Sequence, residues 1–254
     1  MKNRIKIILK KILEPIIYFE CKIFGWLIKK SYKHLKWIQW RIPPQPEFFD
    51  HHIDLHYQWL ETRSPLWLER GIFGRLALKG GKTLELACGD GFNTRNFYSS
   101  KSQTIVACDF DPKAIKIAKS KNMATNIKYF LADIRTNMPS GHFDNIVWDA
   151  AIEHFTPTEI NNIIKEIKTK LNDGGVLSGY TIVEKNNKQK SLAHHEYEFK
   201  NKEDLLNFIS PHFKNVKVFE TIYPERHNLY FWASNQEEVL PFTNSWKYSI
   251  NTKQ

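Results

Sequence analysis

Residues 82–95, KTLELACGDGFNTR, constrain the fold of this chain more than any other segment. A short apolar run at 83–88 carries one acid, Glu85, and ends at Gly89-Asp90-Gly91, after which 93–100 is compatible with a helix. The pattern predicts a buried strand whose C-terminal end enters a tight turn that opens a helix. Glycine in such a turn lets backbone N–H groups come close to a ligand, and the helix N-terminus adds the positive end of its dipole. A loop of this kind can hold the polar end of a nucleoside-containing cofactor. Alone the signal is weak, because many strand-to-helix turns need glycine for steric reasons only.

The segments that follow strengthen it. An apolar run at 105–108 ends at Asp109, 18 residues after Gly91. A carboxylate at that strand tip is placed to accept hydrogen bonds from ribose hydroxyls. Asp111-Pro112 then begins a helix, with aspartate as N-cap and proline in the first turn. A third run, 127–132, ends at Asp133, and a fourth, 143–148, ends at Asp149 with Glu153-His154 just beyond. Four successive strands thus bring an acid to their tips, and in a parallel α/β sheet those tips share one crevice where ligands bind. Thr156-Pro157-Thr158-Glu159 reads as a capping box opening a helix to about Leu171, which Gly174-Gly175 ends before a fifth strand at 176–183. A polar, Lys-rich loop at 186–191, a helix at 201–209 and two β runs at 216–222 and 229–233, joined by 223–228, complete the pattern.

These residues resemble the class I S-adenosylmethionine-dependent methyltransferases. The matching motifs are LELACGDG around Glu85 to Gly91, VACDFDP to Pro112, FLADI to Ile134, FDNIVWDAAIEHF to Phe155, and LNDGGVLSG to Gly179. The resemblance spans roughly 84–233 and is closest to the branch of ubiquinone-biosynthesis O-methyltransferases and small-molecule or sugar methyltransferases. It implies an α/β, Rossmann-like, seven-stranded, mostly parallel sheet with one antiparallel strand and helices on both faces. It also implies S-adenosylmethionine as cofactor: backbone around Ala87, Gly89 and Gly91 at the methionine end, Glu85 orienting the amino group, Asp109 on the ribose, Phe110 beside the adenine, Asp133 and Ile134 at the adenine edge, and Asp149 nearby. The family's first loop glycine is Ala87 here. On the acceptor side His154 is the candidate base, Glu153 and His195 are further catalytic candidates, and Arg226 and His227 sit in the late turn. His154 and Glu153 also fit a bracing role. No convincing set of metal ligands can be assembled, and no metal is expected. A nicotinamide-dependent oxidoreductase would need a third glycine at Thr94, and a non-catalytic S-adenosylmethionine-binding module stays open as the alternative.

Charge divides the 254 residues sharply. Residues 1–41 hold eleven Lys/Arg against Glu14 and Glu20, a net +9 out of the chain's +10, so the remainder is almost neutral. That disfavours nucleic acid as a partner of the domain. In the extension Ile5, Ile8, Leu9, Ile12, Leu13, Ile16 and Ile17 recur at helical spacing, with lysines mostly opposite, and Pro15 is expected to kink or split the helix. Its apolar run at 16–28 is too short for a span and is interrupted by Glu20 and Lys22. A basic amphipathic, Trp-bearing segment suits an anionic membrane surface, or alternatively a lid or oligomer contact. The expected division is 1–47 as this extension with its stiff Pro43, Pro44 and Pro46 link, 48–235 as the methyltransferase domain, and 236–254 as a patternless tail. Three cysteines without a disulfide framework favour a reducing, cytoplasmic setting, peripheral to the inner face of the membrane in the lipid-linked version. The acceptor is then a small molecule, sugar or lipid-linked glycan.

Overall fold

A computed structural model describes residues 2–41, 63–185, 190–191, 194–224, 226–236 and 247–249. Two compact units divide at Ile53/Asp54. The larger holds one sheet of β1 (Lys82–Leu86), β2 (Thr104–Asp109), β3 (Ile127–Leu131), β4 (Phe143–Asp149), β5 (Leu171–Ile182), β6 (Asn215–Tyr223), β7 (Arg226–Ser234) and β8 (Lys247–Ser249). The order is β3-β2-β1-β4-β5-β7-β6-β8, with β7 antiparallel to β5 and β6 and the other pairings parallel. Chain order runs outward in one direction from β1 through β2 to β3, and in the other from β1 to β4. The reversal opens a crevice at the C-terminal ends of these strands, the usual ligand position in open α/β sheets.

The strands are apolar because both faces are covered. On one face Leu84, Leu86, Cys108, Ile146 and Trp148 pack with Ile160, Ile163, Ile164 and Ile167 of a helix at Pro157–Lys170. That spacing of i, i+3, i+4 and i+7 aims one helix stripe at the sheet, and each fully buried isoleucine contributes about 1.5–3 kcal/mol. The capping box is present as expected: Thr156 N donates to Glu159 Oε2 at 2.9 Å, and Glu159 N donates to Thr156 Oγ1 at 3.4 Å. On the other face Ile105, Ala107, Ile127 and Val147 pack with Ile115 and Ala118 of a helix at Pro112–Lys121. In chain order the helices are α1 (Lys2–Arg41), α2 (Leu66–Ala77), α3 (Pro112–Lys121), α4 (Pro157–Lys170) and α5 (Lys202–Ile209).

The expected seven-stranded, Rossmann-like sheet is present, and four details differ from the sequence reading. First, β5 begins at Leu171, because its pairing jumps from Phe143↔Leu171 to Asn145↔Val176 and the glycine pair lies in that bulge, not in a helix-ending turn. Second, Arg226 and His227 pair with Tyr223 and Ile222 at the start of β7, so they are strand residues and not a loop. Third, a short eighth strand from the tail adds to the edge at β6. Fourth, α2, between 66 and 77, is a helix that the sequence pattern did not reveal.

In the smaller unit, α1 runs unbroken from Lys2 to Arg41 with Pro15 inside it. Proline removes one backbone donor and one hydrogen bond, a local loss that the turns on either side withstand here. Ile12, Ile16, Phe19, Ile23, Phe24, Trp26 and Ile28 are exposed on this helix. Among the described residues no helix is long and apolar enough to cross a membrane. Pro43, Pro44, Pro46, loop positions 186–189 and tail positions 237–246 and 250–254 lie outside the described residues.

Candidate active site

The glycine turn leaves β1 as anticipated. Cys88 N donates to Cys108 O at 2.9 Å, Gly91 N donates to Cys88 O at 3.0 Å, and a π-helical turn at Thr94–Tyr98 follows. Gly89 and Gly91 have φ of +56° and +76°, and a Cβ on Gly91 would lie 2.4 Å from the Tyr129 hydroxyl. Ala87 has φ of +53°, so the position where the family carries glycine adopts the left-handed backbone that glycine suits.

Below the turn, Glu85 is 3% exposed and its Oε2 has no hydrogen-bond partner. Burial pushes its carboxyl up to about 8. Asn93 Oδ1 and Tyr98 Oη, from the turn that follows, are also buried without a partner. Native structures pair almost all buried polar atoms, so a set of orphans at the foot of a glycine turn marks a place built for a polar ligand. A cationic amine fits Glu85, and hydrogen-bonding groups fit its neighbours.

Asp109, at the tip of β2, is tied to the turn itself: its Oδ2 accepts from Gly89 N at 2.9 Å and its Oδ1 from Asp111 N at 2.9 Å. Burial raises its carboxyl above the usual range although those N–H groups pull it down. Phe110 is 71% exposed, an apolar ring open to a partner. Ile134, by contrast, is buried in the main core. Asp133 is partly exposed and engaged by its neighbour Arg135, whose Nη2 lies 2.6 Å from Oδ2 and Nε 3.0 Å from Oδ1. This side-chain bonding holds the Asp133 carboxyl below its ordinary value. The structure therefore ties Asp109 to the glycine turn that follows Glu85, while Asp133 is already paired.

Asp149 takes a place the sequence did not suggest. Its Oδ2 accepts from Arg70 Nη2 at 2.7 Å, Arg70 Nε at 3.0 Å and Asn93 Nδ2 at 3.0 Å. It braces α2 and the π-helical turn against β4 from inside, and its carboxylate is not left open to a cofactor. Arg70 also lies over the rings of Trp67 and Tyr180, at 4.9 and 5.0 Å. Tyr180 OH, in β5, accepts from Arg226 Nη2 at 2.8 Å and donates to Asn228 Oδ1 at 3.0 Å. Next to Arg70, Glu69 is buried and accepts from Tyr230 OH at 2.6 Å and from Thr221, Tyr223 and Asn228. A single helix, α2, thus fastens β4 to the β6–β7 pair, and Arg70 from α2 and Arg226 from β7 both meet Tyr180.

Past β4, the two expected acceptor residues separate in role. Glu153 is 3% exposed, its Oε2 accepts from Thr181 Oγ1 at 3.0 Å, and its backbone carbonyl accepts from Glu196 N and Tyr197 N. It braces the 194–198 segment, and burial raises its carboxyl. His154 is half-buried; its Nδ1 lies 3.5 Å from His194 O, and its ring stacks on His194 at 4.9 Å and meets His195 edge-on at 4.8 Å. His195 is buried, with Nδ1 2.5 Å from Glu198 Oε1. Burial lowers both His154 and His195, favouring the neutral ring in each, against the opposing pull of His194 O on the first and Glu198 on the second. Where the sequence offered no ligand set, one ring nitrogen from each of His154, His194 and His195 lies within 4.8 Å of the others.

No curated protein matches the chain. Residues 83–175 match the model of a methyltransferase domain family. Among solved structures the chain is similar to DhpI in complex with SAH, at 16% identity over 83% of this chain and 98% of that one, with a TM-score of 0.56. It is similar to the N-methyltransferase NodS from Bradyrhizobium japonicum WM9, at 19% identity over 68% and 98%, with a TM-score of 0.52. Human N-acetylserotonin methyltransferase in complex with SAM aligns at 12% identity over 74% of this chain and 57% of its own, with a TM-score of 0.53. At such identities the structural likeness speaks for the fold, and the domain model for the class of activity. Residues 83–175 are a methyltransferase domain with the class I, S-adenosylmethionine-dependent architecture.

Proposed function

We propose that this class I methyltransferase transfers the methyl group of S-adenosylmethionine to an oxygen of a small molecule, sugar or lipid-linked glycan. The observation that carries the cofactor reading is the buried, unpartnered Glu85 oxygen beneath the glycine turn. The cofactor supplies an activated methyl group on a sulfonium, so the protein's work is to align an acceptor and manage its proton. Glu85 takes the amino group of the methionine end, and backbone around Ala87, Gly89 and Gly91 encloses that end. Asp109 accepts from the ribose while its other contacts fix the turn, and Phe110 covers the adenine. Asp133 and Ile134 border the adenine edge, the former held in position by Arg135. Asp149 and Glu153 shape the crevice from inside, through Arg70, Asn93 and Thr181. His154 and His195 line the acceptor side, where an imidazole can take the proton that an attacking hydroxyl must lose.

The lipid-linked version draws on residues 1–41. Their net charge of +9 and the exposed Ile, Phe and Trp side chains of α1 suit an anionic membrane surface, at the cytoplasmic inner face. Lys22 and Lys30 lie over the Tyr18 and Trp26 rings at 4.5 Å, keeping cationic heads beside the aromatic groups that settle at such interfaces. Nucleic acid is a poorer fit, because the charge is confined to this extension. In this reading 1–47 attaches, 48–235 catalyses and 236–254 is a tail.

Calorimetry of the full chain with S-adenosylmethionine, S-adenosylhomocysteine and NAD tests the cofactor. Sub-millimolar binding of only the two sulfur compounds is expected, and binding of NAD instead would overturn the reading. A scan of extracts for products heavier by one methylene then separates an enzyme from a binding module. Co-sedimentation with anionic liposomes, with and without residues 1–41, tests the surface; equal recovery in the supernatant would end that part.

A further inference from the structure

We infer that His154, His194 and His195 form a binding site for a divalent transition metal of the zinc type. It deepens the proposed function by giving the acceptor side a second bound component, and it stands on geometry independent of methyl transfer. The three residues come from two separate segments: His154 closes the 3-10 turn after β4, and His194 and His195 lie 40 and 41 residues further on, before the bridge of Phe199 to Val183. The backbone carbonyl of Glu153 holds the segments together, since it accepts from both Glu196 N and Tyr197 N.

The proximity of the rings is the first observation. One nitrogen from each lies within 4.8 Å of the other two. Bonds of about 2.0–2.1 Å in tetrahedral geometry place imidazole nitrogens ~3.4 Å apart. Closing the difference takes about 1.5 Å between nitrogens and a turn of the exposed His194 ring out of its stack on His154, so that both in-plane lone pairs face one ion.

The second observation is what the remaining ring nitrogens do. His195 Nδ1 is held by Glu198 Oε1 at 2.5 Å, and that carboxylate is fixed in turn by Ser191 N at 2.6 Å and Ser191 Oγ at 3.3 Å. His154 Nδ1 faces a backbone carbonyl, His194 O, at 3.5 Å. A ligating histidine ordinarily donates its other N–H to a carboxylate or a carbonyl, which fixes the tautomer and leaves the opposite nitrogen as the ligand. Two of the three rings carry that orientation already, with Nε2 of each turned away from the partner. A merely stacked histidine patch requires no such buried carboxylate behind it.

Three imidazole ligands suit Zn2+, Co2+ or Ni2+ better than Mg2+ or Ca2+, which prefer oxygen ligands. Three protein ligands also leave a position on the metal for water or an acceptor oxygen. On this inference His154 influences the acceptor through the metal and not as a free base.

Titration of the full, metal-stripped chain with Zn2+ by calorimetry, and with Co2+ by visible absorption, provides the test. One ion per chain is expected, with the intense visible bands of four-coordinate Co2+. His194→Ala and His195→Ala should each weaken binding at least tenfold, and Glu198→Gln by about 10- to 100-fold. S-adenosylhomocysteine binding by each variant reports separately that the domain is folded and that the cofactor reading holds. No saturable binding by the wild type, or equal affinity in His194→Ala, whose exposed side chain can be removed without unfolding, would overturn the inference.

Discussion

Along β1 to β3, the acids of the crevice sit at or near the end of their own strands, beside a glycine turn or a helix cap. From β4 and α2 across β5 to β7, the pairs that join the elements link residues 46 to 161 positions apart, as in Arg226–Tyr180, Arg70–Asp149 and Glu69–Tyr230. The first region is built by local backbone rules and leaves its key oxygen, on Glu85, without a partner. In the second, the buried carboxylates of Glu69 and Asp149 each have donors. One region is prepared for a ligand and the other is prepared to hold its shape.

Breaking the second region should produce the largest effect. Arg70→Met would leave the Asp149 carboxylate buried beneath α2 with only Asn93 as a side-chain donor, at a cost of about 3–5 kcal/mol. Urea unfolding measures it; a loss under about 1 kcal/mol would mean that water reaches Asp149 and that α2 is not the clamp described here.

In the first region, replacing an acid should cost binding and little stability. Glu85→Gln is expected to weaken S-adenosylhomocysteine by about 1.5–3 kcal/mol, the worth of a hydrogen bond to a charged group. Calorimetry would show it, and unchanged affinity would remove Glu85 from the cofactor's amino group.

The pH dependence sharpens the same contrast. With its carboxyl pushed up to about 8, Glu85 is mostly protonated in the free protein at neutral pH. Its folded value is above its unfolded one, so the protonated form stabilises the free fold most fully below the unfolded pKa. That contribution is lost as pH rises through about 8. A cationic ligand favours the ionised form, so binding should release a proton and strengthen as pH climbs toward 8. Calorimetry in buffers of different ionisation enthalpy counts the proton, and Glu85→Gln should abolish the release. A wild type that releases none would place the cation elsewhere.

The smallest effect is expected at Ala87. Its left-handed backbone disfavours a Cβ by roughly 1–2 kcal/mol, partly offset by the greater freedom glycine has when unfolded. Ala87→Gly should therefore stabilise the domain by up to about 1 kcal/mol in thermal melts. A destabilised variant would show that the Ala87 methyl packs usefully.

The contrast also explains what the sequence could tell. Glu85, Asp109 and the capping box at Thr156 are legible because each is fixed by residues within a turn or a strand of itself. The α2 helix is obscure because Gly71 and Gly74 weaken its helical signature, yet both are needed where it meets Phe97 and Tyr98. A Cβ on Gly71 would lie 2.3 Å from the Phe97 ring. Glu69 and Arg70 have roles only through partners on distant strands. Arg226 looked like a turn residue because its side chain is polar, although its backbone already pairs with Tyr223. The histidine cluster has no signal in spacing at all, since the backbone contacts at Glu153 bring 194–198 back beside His154.

A crystal structure of the chain with S-adenosylhomocysteine bound tests the central claim most directly. The account predicts the ligand's amino nitrogen within hydrogen-bonding distance of Glu85 Oε2 and its ribose hydroxyls on Asp109, with the Arg70–Asp149 pair unmoved. A ligand bound away from the glycine turn, with Glu85 still unpartnered, would contradict it.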